Sequence, residues 1–349
     1  MKPSCSSFLK IHRRYQGREQ EWNQFLEGCA SANFYQRAEW LAINQEALGH
    51  DVFGLVAEDE SGIVGVFPLV RVRSRLFGDI LSSMPFVNFG GPAASTPGVE
   101  ARLVTAAREL ADELGTDYLE VRADRRMDDW PTSTHKVSMT VPLVEDPDKL
   151  FESYSRKHRK NVRRSYKNDI RVESGGMEWL DTFFRLMEMG WRALGTPLYH
   201  RDYFEAVVRA FPEDVRVFVG FSGDTPIATA FNGGFRGTME GMWAAFDPKA
   251  LSLQPNYVLY WEMISWACRA GYREFHLGRS TVDSGAQDFK AKWGAEPKQL
   301  YWSYHLKSGN GIPGLNPDNP RYRLAIRTWQ KLPLPVLRVL GPRLARLIP

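Results

Sequence analysis

Residues 53–69 read FGLVAEDESGIVGVFPL, and residues 217–232 read VFVGFSGDTPIATAFN. Each stretch is an apolar run, a short polar turn and a second apolar run, the pattern of a β-hairpin. Gly62 closes the first turn, SGDTP makes the second, and Ile227 stands where Ile63 stands in the first copy. Each hairpin is followed, further on, by an amphipathic helix and a short strand: VEARLVTAARELADELG then DYLEVR, and YVLYWEMISWACRAG then REFHLGR. Leu103, Ala106, Ala107, Leu110 and Leu114 keep the spacing of one helical face, and Gly115 and Gly271 stand where a C-cap ends a helix. The chain therefore reads as two copies of one plan, divided near Asp146 in VPLVEDPDKL.

The bulk properties agree with that division. At 349 residues, 43% hydrophobic and 25% charged, the chain exceeds the size at which a single core stops growing, about 250–300 residues. The expected organisation is a first domain over 1–145, a second over 146–307, and a linker with a basic amphipathic tail over 308–349. The N-terminal MKPSCSSFLKIHRRYQGREQ lacks the apolar stretch of a secretory signal, and no window approaches the roughly 20 apolar residues that span a bilayer, so a cytoplasmic location is expected. Cys5, Cys29 and Cys268 are odd in number and widely separated, which predicts reduced thiols. No cluster of His and carboxylate has metal-ligand spacing, and no tightly bound cofactor is expected. The net charge of +4 is concentrated in Arg156–Arg171 and from Arg321 onward.

The first of those runs, RKHRKNVRRSYK at 156–167, contains neither Gly nor Pro and predicts a helix. On it Lys157, Lys160, Arg164 and Lys167 share a face, with Arg156, Arg159 and Arg163 beside them. Crowded like charge costs helix stability, so the run points to a polyanionic partner: a nucleotide diphosphate, a lipid-linked pyrophosphate or tRNA. A solvated face is the alternative. In LGRSTVDSG at 277–285, an apolar strand runs into a polar loop where Arg279, Ser280 and Asp283 can converge, Arg279 as a bidentate clamp on a phosphate or carboxylate. Asp283 and the serines could equally serve only the turn. Lys290 and Lys292 lie two apart on the following helix, so one alone reaches the cleft, and Lys290 is the choice because it sits one turn from Trp293. Asn88, Gly90 and Gly91 in NFGGP either offer backbone N–H groups to an acceptor or make a tight turn. His135 and Lys136 precede the strand Val137–Val141, with His135 a general base, a phosphate partner or a structural residue.

MPFVNFGGP at 84–92, THKVSMTVPL at 134–143, SRKHRKNVRRSYKNDIRVE at 155–173 and LGRSTVDSGAQDFKAKWGAEP at 277–297 together resemble the FemAB-like proteins of exosortase (PEP-CTERM) and exopolysaccharide systems. That group lies within the FemAB and BioF2-like acetyltransferases, and the resemblance covers nearly the whole chain. It implies an α+β fold of two tandem GNAT-like domains with mixed sheets. It also implies transfer of an aminoacyl or acyl group to an amine of a cell-envelope or exopolysaccharide precursor, in the better-known relatives from aminoacyl-tRNA to a peptidoglycan precursor. FKAKWGAEPKQLYW resembles the Phe-containing helix, Gly and final strand of an acetyltransferase, which would place Leu300–Leu306 as the closing strand of the second domain. The strand Met242–Phe246 would then supply an oxyanion donor from its splayed edge.

Two departures leave the donor open between aminoacyl-tRNA and acyl-CoA. The helical-arm insertion of some members is absent. The Gly-rich pyrophosphate loop is also missing, its place in the second half taken by Leu253-Gln254-Pro255-Asn256-Tyr257, where Gln254, Asn256 and Tyr257 are the candidate contacts. The tail from Arg321 carries seven Arg or Lys and no acid, interleaved with Leu, Ile, Val and Trp329. It suits peripheral contact with an anionic inner membrane through 320–349, or packing over the second domain. A rival reading is a non-catalytic, membrane-docked binding module.

Overall fold

In the computed structural model, residues 9–75, 77–127, 129–307, 312 and 320–348 are described. They form two compact units, one of residues 9–134 and 299–307, the other of 135–298 and 320–346. The first opens with β1 (Lys10–His12), α1 (Glu19–Gly28) and α2 (Glu39–Glu46). It continues through the hairpin β2 (Asp51–Asp59) and β3 (Gly62–Ser74), then β4 (Gly78–Ser82), the two-residue β5 (Ala93–Ala94), α3 (Pro97–Leu114) and β6 (Tyr118–Ala123). Helix α3 starts because Thr96 accepts a hydrogen bond from the Val99 N–H, with Pro97 in the first turn, and it stops at Gly115 in the left-handed region. The Thr116 N–H then returns to the Ala111 carbonyl, closing the Schellman turn. Leu103, Ala106, Ala107 and Leu110 are buried against Leu55, Phe67, Leu69 and Val121 of the sheet, the face predicted from spacing.

The second unit takes β7 (Thr132–Pro142) from residue 135 on, followed by α4 (Pro147–Ser153), α5 (Arg156–Tyr166), β8 (Ile170–Gly175), α6 (Leu180–Leu194) and α7 (Arg201–Ala210). Next come the hairpin β9 (Val215–Ser222) and β10 (Thr225–Phe235), β11 (Thr238–Phe246), α8 (Pro255–Arg269), β12 (Glu274–Thr281) and α9 (Gly285–Ala291). The chain ends with β13 (Glu296–Leu306), α10 (Pro320–Lys331) and α11 (Leu334–Ala345). The sheet order is β7-β12-β11-β10-β9-β8, with β11 and β12 parallel and joined by α8. The first unit repeats the scheme as β1-β2-β3-β4-β6-β13, where β4 and β6 are the parallel pair and α3 crosses between them. Both predicted hairpins are present, with Asp59 opposite Gly62 and Ser222 opposite Thr225 across their turns.

Two boundaries differ from those drawn on the sequence. The strand Leu300–Leu306 does not close the second unit: it pairs antiparallel with β6, Tyr304 opposite Glu120, and so completes the first. The partner of β12 is instead β7, with Thr140 opposite His276 and Ser138 opposite Arg279, so the second unit begins near residue 135 and not at 146. Each parallel pair is thus closed by a strand remote in sequence, and β13 seats there because Ser303 and Tyr304 are buried while the Arg122 guanidinium lies 4.2 Å over the Trp302 ring.

The tail from residue 320 packs on the second unit. Gln330 Nε2 donates to the Ala193 carbonyl at 2.8 Å, Leu337 is buried, and Arg338 makes a bidentate pair with the Glu188 carboxylate at 2.6 and 2.9 Å. The inner side of α11 is therefore protein-facing: Leu337 is covered, and Arg338, though exposed, is paired with Glu188. The predicted linker over 308–319 lies, save Ile312, outside the described residues.

Candidate active site

Strands β11 and β12 are laddered over Thr238/Glu274, Met239/Phe275 and Glu240/His276, and the ladder stops there. Two irregularities at the same level force the strands apart. Opposite β10, Met242 is an extra residue, Phe231 facing Trp243 and Asn232 facing Gly241. Opposite β7, Leu277 and Gly278 together span the place of Met139. Such bulges bend a strand away from its neighbour. Gly278 has φ +80°, and a Cβ there would stand 2.8 Å from the Gly241 carbonyl oxygen, so only glycine fits. The result is a V-shaped notch in the sheet, with the Met242–Phe246 edge on one side.

A lysine from α9 occupies that notch. Ser284 caps the helix by accepting from the Gln287 N–H, and Lys290 follows on its inward face. Lys290 is 7% exposed, and its Nζ donates to the Gly278 and Arg279 carbonyls, both at 2.9 Å. Burial, with a smaller contribution from the Arg279 charge, pushes its pKa down to about 8. An ammonium has three donors, so one N–H of the charged form remains for a ligand. Lys292 is exposed, as the spacing argument required of one of the pair.

Beside α9 lies the start of α8. Its N-cap, Gln254, is left-handed at φ 57°, and Pro255 occupies the first turn, removing one of the amides that would face an anion. The basic helix α5 packs here through His158, Val162 and Ser165, while Arg156, Lys157, Lys160, Arg163, Arg164 and Lys167 stay exposed. Arg164 donates to Gln254 Oε1 at 2.7 Å, Asn161 Nδ2 donates to the Tyr257 hydroxyl at 3.4 Å, and Asn168 Nδ2 donates to the Leu253 carbonyl at 2.8 Å. The positive run is thus fixed beside a helix N-terminus, two features of the same sign. Asn256 is half-buried in that first turn, and Tyr257 meets the Phe289 ring with centroids 5.6 Å apart.

The remaining sequence candidates divide between the units. Arg279 is half-buried and paired within β12, Ser280 is buried, and Thr281 accepts from Lys136 Nζ at 2.8 Å. The His135 carbonyl accepts from the Val282 N–H at 3.1 Å, so His135 and Lys136 border the same strand end. Asp283 is an exposed left-handed turn residue whose N–H donates to Gln287, which is the turn-forming role. Asn88, Gly90 and Gly91 belong to the first unit, where all are buried. Asn88 Nδ2 donates to the Tyr35 hydroxyl, the Gly90 N–H donates to the Arg122 carbonyl, and the Gly91 carbonyl accepts from Gln36. Those groups hold the first unit's interior together.

Three features escaped sequence reasoning. At the root of the notch His276 Nδ1 lies 2.6 Å from Glu240 Oε1 and Nε2 lies 3.4 Å from Glu274. Burial alone would discharge this imidazole, but the two carboxylates outweigh it and raise its pKa to about 9. Only Glu274 and His276, two apart on one strand, gave a local sign. His158 is buried against Trp293 with ring centroids 4.3 Å apart, both of its nitrogens without hydrogen-bond partners among the described residues. Its burial, with Lys292 nearby, pushes its pKa down to about 4, so it is a neutral member of an aromatic wall. In the first unit, Glu120 and Arg122 form a buried pair at 2.6 Å on β6.

Residues 152–291, which hold the split between β11 and β12 and the helix α8 that joins them, match the family model described as an acetyltransferase (GNAT) domain. The chain has a tandem GNAT-like fold, with the matched acetyltransferase domain lying within its second unit. Over 79 residues it is 33% identical to the lipid II:glycine glycyltransferase of Staphylococcus aureus (strain bovine RF122 / ET3-1), a match spanning 23% of this chain and 19%, about a fifth, of that protein. The crystal structure of FemX superposes with a TM-score of 0.65 at 14% identity, covering 91% of this chain and all of that one. A tandem GNAT protein from the clavulanic acid biosynthesis pathway superposes with a TM-score of 0.53 at 10% identity, covering 86% of this chain and 99% of that one. The structural likenesses show the fold, and the chain matches only about a fifth of the glycyltransferase's length.

Proposed function

We propose that this chain transfers an aminoacyl group from an activated ester to an amine of a lipid-linked cell-envelope or exopolysaccharide precursor, working at the cytoplasmic face of a membrane. The observation that carries the reading is Lys290, a buried ammonium held on two strand carbonyls where β11 and β12 part. In the reaction a neutral amine attacks the acyl carbon, the new C–N bond forms as the ester C–O bond breaks, and the amine proton leaves with the departing oxygen. Lys290 and the Met242–Phe246 edge supply donors to the oxygen that becomes negative, a contribution worth about 3–4 kcal/mol per donor in comparable sites. Arg164 and the α5 cations hold phosphates of one substrate. Lys136 and Arg279 border the strand end where the acceptor would enter.

Acyl-CoA is the alternative donor. Aminoacyl-tRNA is favoured over it by Pro255 at the start of α8, where coenzyme A pyrophosphate would need a free amide, and by the glycyltransferase likeness. Purified protein given labelled aminoacyl-tRNA and acyl-CoA in parallel, with extracted lipid-linked precursor as acceptor, should move label from the aminoacyl-tRNA. Lys290→Met should lower that rate about 100-fold while leaving the protein folded. Transfer from acyl-CoA alone, or a folded Lys290→Met protein of unchanged rate, overturns the assignment.

A further inference from the structure

Helix α11 has two apolar sides, and its own domain covers one of them. Leu337, Gly341 and Ala345 are buried, and Arg338 on that side is neutralised by Glu188. On the opposite side Val336, Val339, Leu340 and Arg343 recur at helical spacing, with Val336 39%, Val339 56% and Leu340 39% exposed. Three branched aliphatic side chains on one outward stripe are more than a helix needs for solubility, since the same stripe could be polar without disturbing the packed side. Helix α10 adds one exposed aliphatic residue: Leu324, 67% exposed, shares its face with Arg327 and Lys331.

The charge around these residues has one sign. From Arg321 to the end the chain holds seven Arg or Lys and no Asp or Glu, and of these Arg338 is paired with Glu188. A protein partner would ordinarily be met by mixed charge, whereas apolar residues rimmed by cations alone complement a surface with an apolar interior and an anionic face. No helix among the described residues is long and apolar enough to cross a membrane, so the contact would be interfacial.

We infer that the outer face of α11, Val336, Val339, Leu340 and Arg343, is a docking surface for an anionic lipid bilayer, with α10 contributing Leu324, Arg327 and Lys331. The aliphatic residues enter the headgroup boundary, and the cations stay at phosphate level, each basic residue near the surface raising partitioning about fivefold. The inference does not depend on the acyl-transfer reading, because the surface lies outside the notch and binding is measured without substrates.

The test is cosedimentation of the full chain with vesicles of mixed phosphatidylglycerol and phosphatidylcholine, against phosphatidylcholine alone, at low and raised salt. Wild type should bind the anionic vesicles and release on salt addition. Val336→Ser/Val339→Ser/Leu340→Ser should weaken binding at least tenfold, and Arg327→Gln/Lys331→Gln/Arg343→Gln should remove most of the salt dependence. All six positions face outward, so both variants should melt like wild type, which a thermal scan verifies. Absence of wild-type binding to anionic vesicles, or equal binding by the folded aliphatic variant, overturns the inference. So does a dimer in light scattering that the aliphatic variant abolishes, since the stripe would then be covered by a second copy.

Discussion

At the scale of single residues, the second unit carries two buried cationic groups whose environments push in opposite directions. Lys290 is depressed to about 8 because burial penalises its charge. His276 is equally enclosed, yet Glu240 and Glu274 overcome the burial cost and hold its pKa near 9, above its ordinary 6.5. The sign of the linkage follows directly: between those values the folded chain binds more protons than the unfolded chain, so stability from this group is full below about 6.5 and is lost as pH rises through about 9. Glu274, which also meets Thr238 and Lys298, stays ionised across that window, held well below the usual carboxylate range by its hydrogen bond to His276 and by Lys298. Unfolding free energies from denaturant titrations between pH 6 and 9.5 should therefore fall for wild type relative to His276→Gln by an amount on the order of 1–3 kcal/mol. Parallel curves for the two proteins would show that the imidazole carries no extra proton in the folded state.

At the scale of elements, local pattern carries most of the architecture. The hairpins, the capped α3 and the basic α5 follow from periodicity and from caps within a few residues of each helix. Spacing from Trp293 singled out Lys290, but the Gly278 and Arg279 carbonyls that hold it were not legible, because they depend on a bulge in β12 that is visible only once β7 is known to be its partner. For α5, structure adds which residues are committed: His158, Val162 and Ser165 face inward, and Lys157, Lys160 and Arg164 line the side that reaches Gln254. Replacing these three cations with Gln should flatten the salt dependence of tRNA binding, by a slope of about 0.7–0.9 for each phosphate no longer neutralised. The folded state should be unharmed or slightly more stable, since like charges one turn apart are removed. Equal affinity and slope in both proteins would make α5 a solvated face.

At the scale of the whole chain, the division at residue 146 follows sequence order, and sequence order is what the fold does not respect. Nothing in Leu300–Leu306 says which parallel pair it closes, because a strand's own pattern specifies burial but not its partner. The consequence is testable. A fragment of residues 1–145 contains β1 to β6 but lacks β13, so β6 keeps an open edge, Glu120 and Arg122 lose the cover of Tyr304 and Trp302, and β7 is left without β12. A buried ion pair uncovered in this way changes from a satisfied group into an exposed, apolar-flanked strand edge, a recognised route to association. The complementary fragment, 146–307, holds β12 without β7 and β13 without β6. Each fragment expressed alone should therefore show no cooperative unfolding transition and should aggregate, whereas the full chain unfolds cooperatively. Co-expression should restore soluble, associated halves, because the missing strand of each is then supplied by the other. A monomeric 1–145 fragment with a sharp melting transition would mean that β13 is an accessory strand, and the sequence-order boundary would stand.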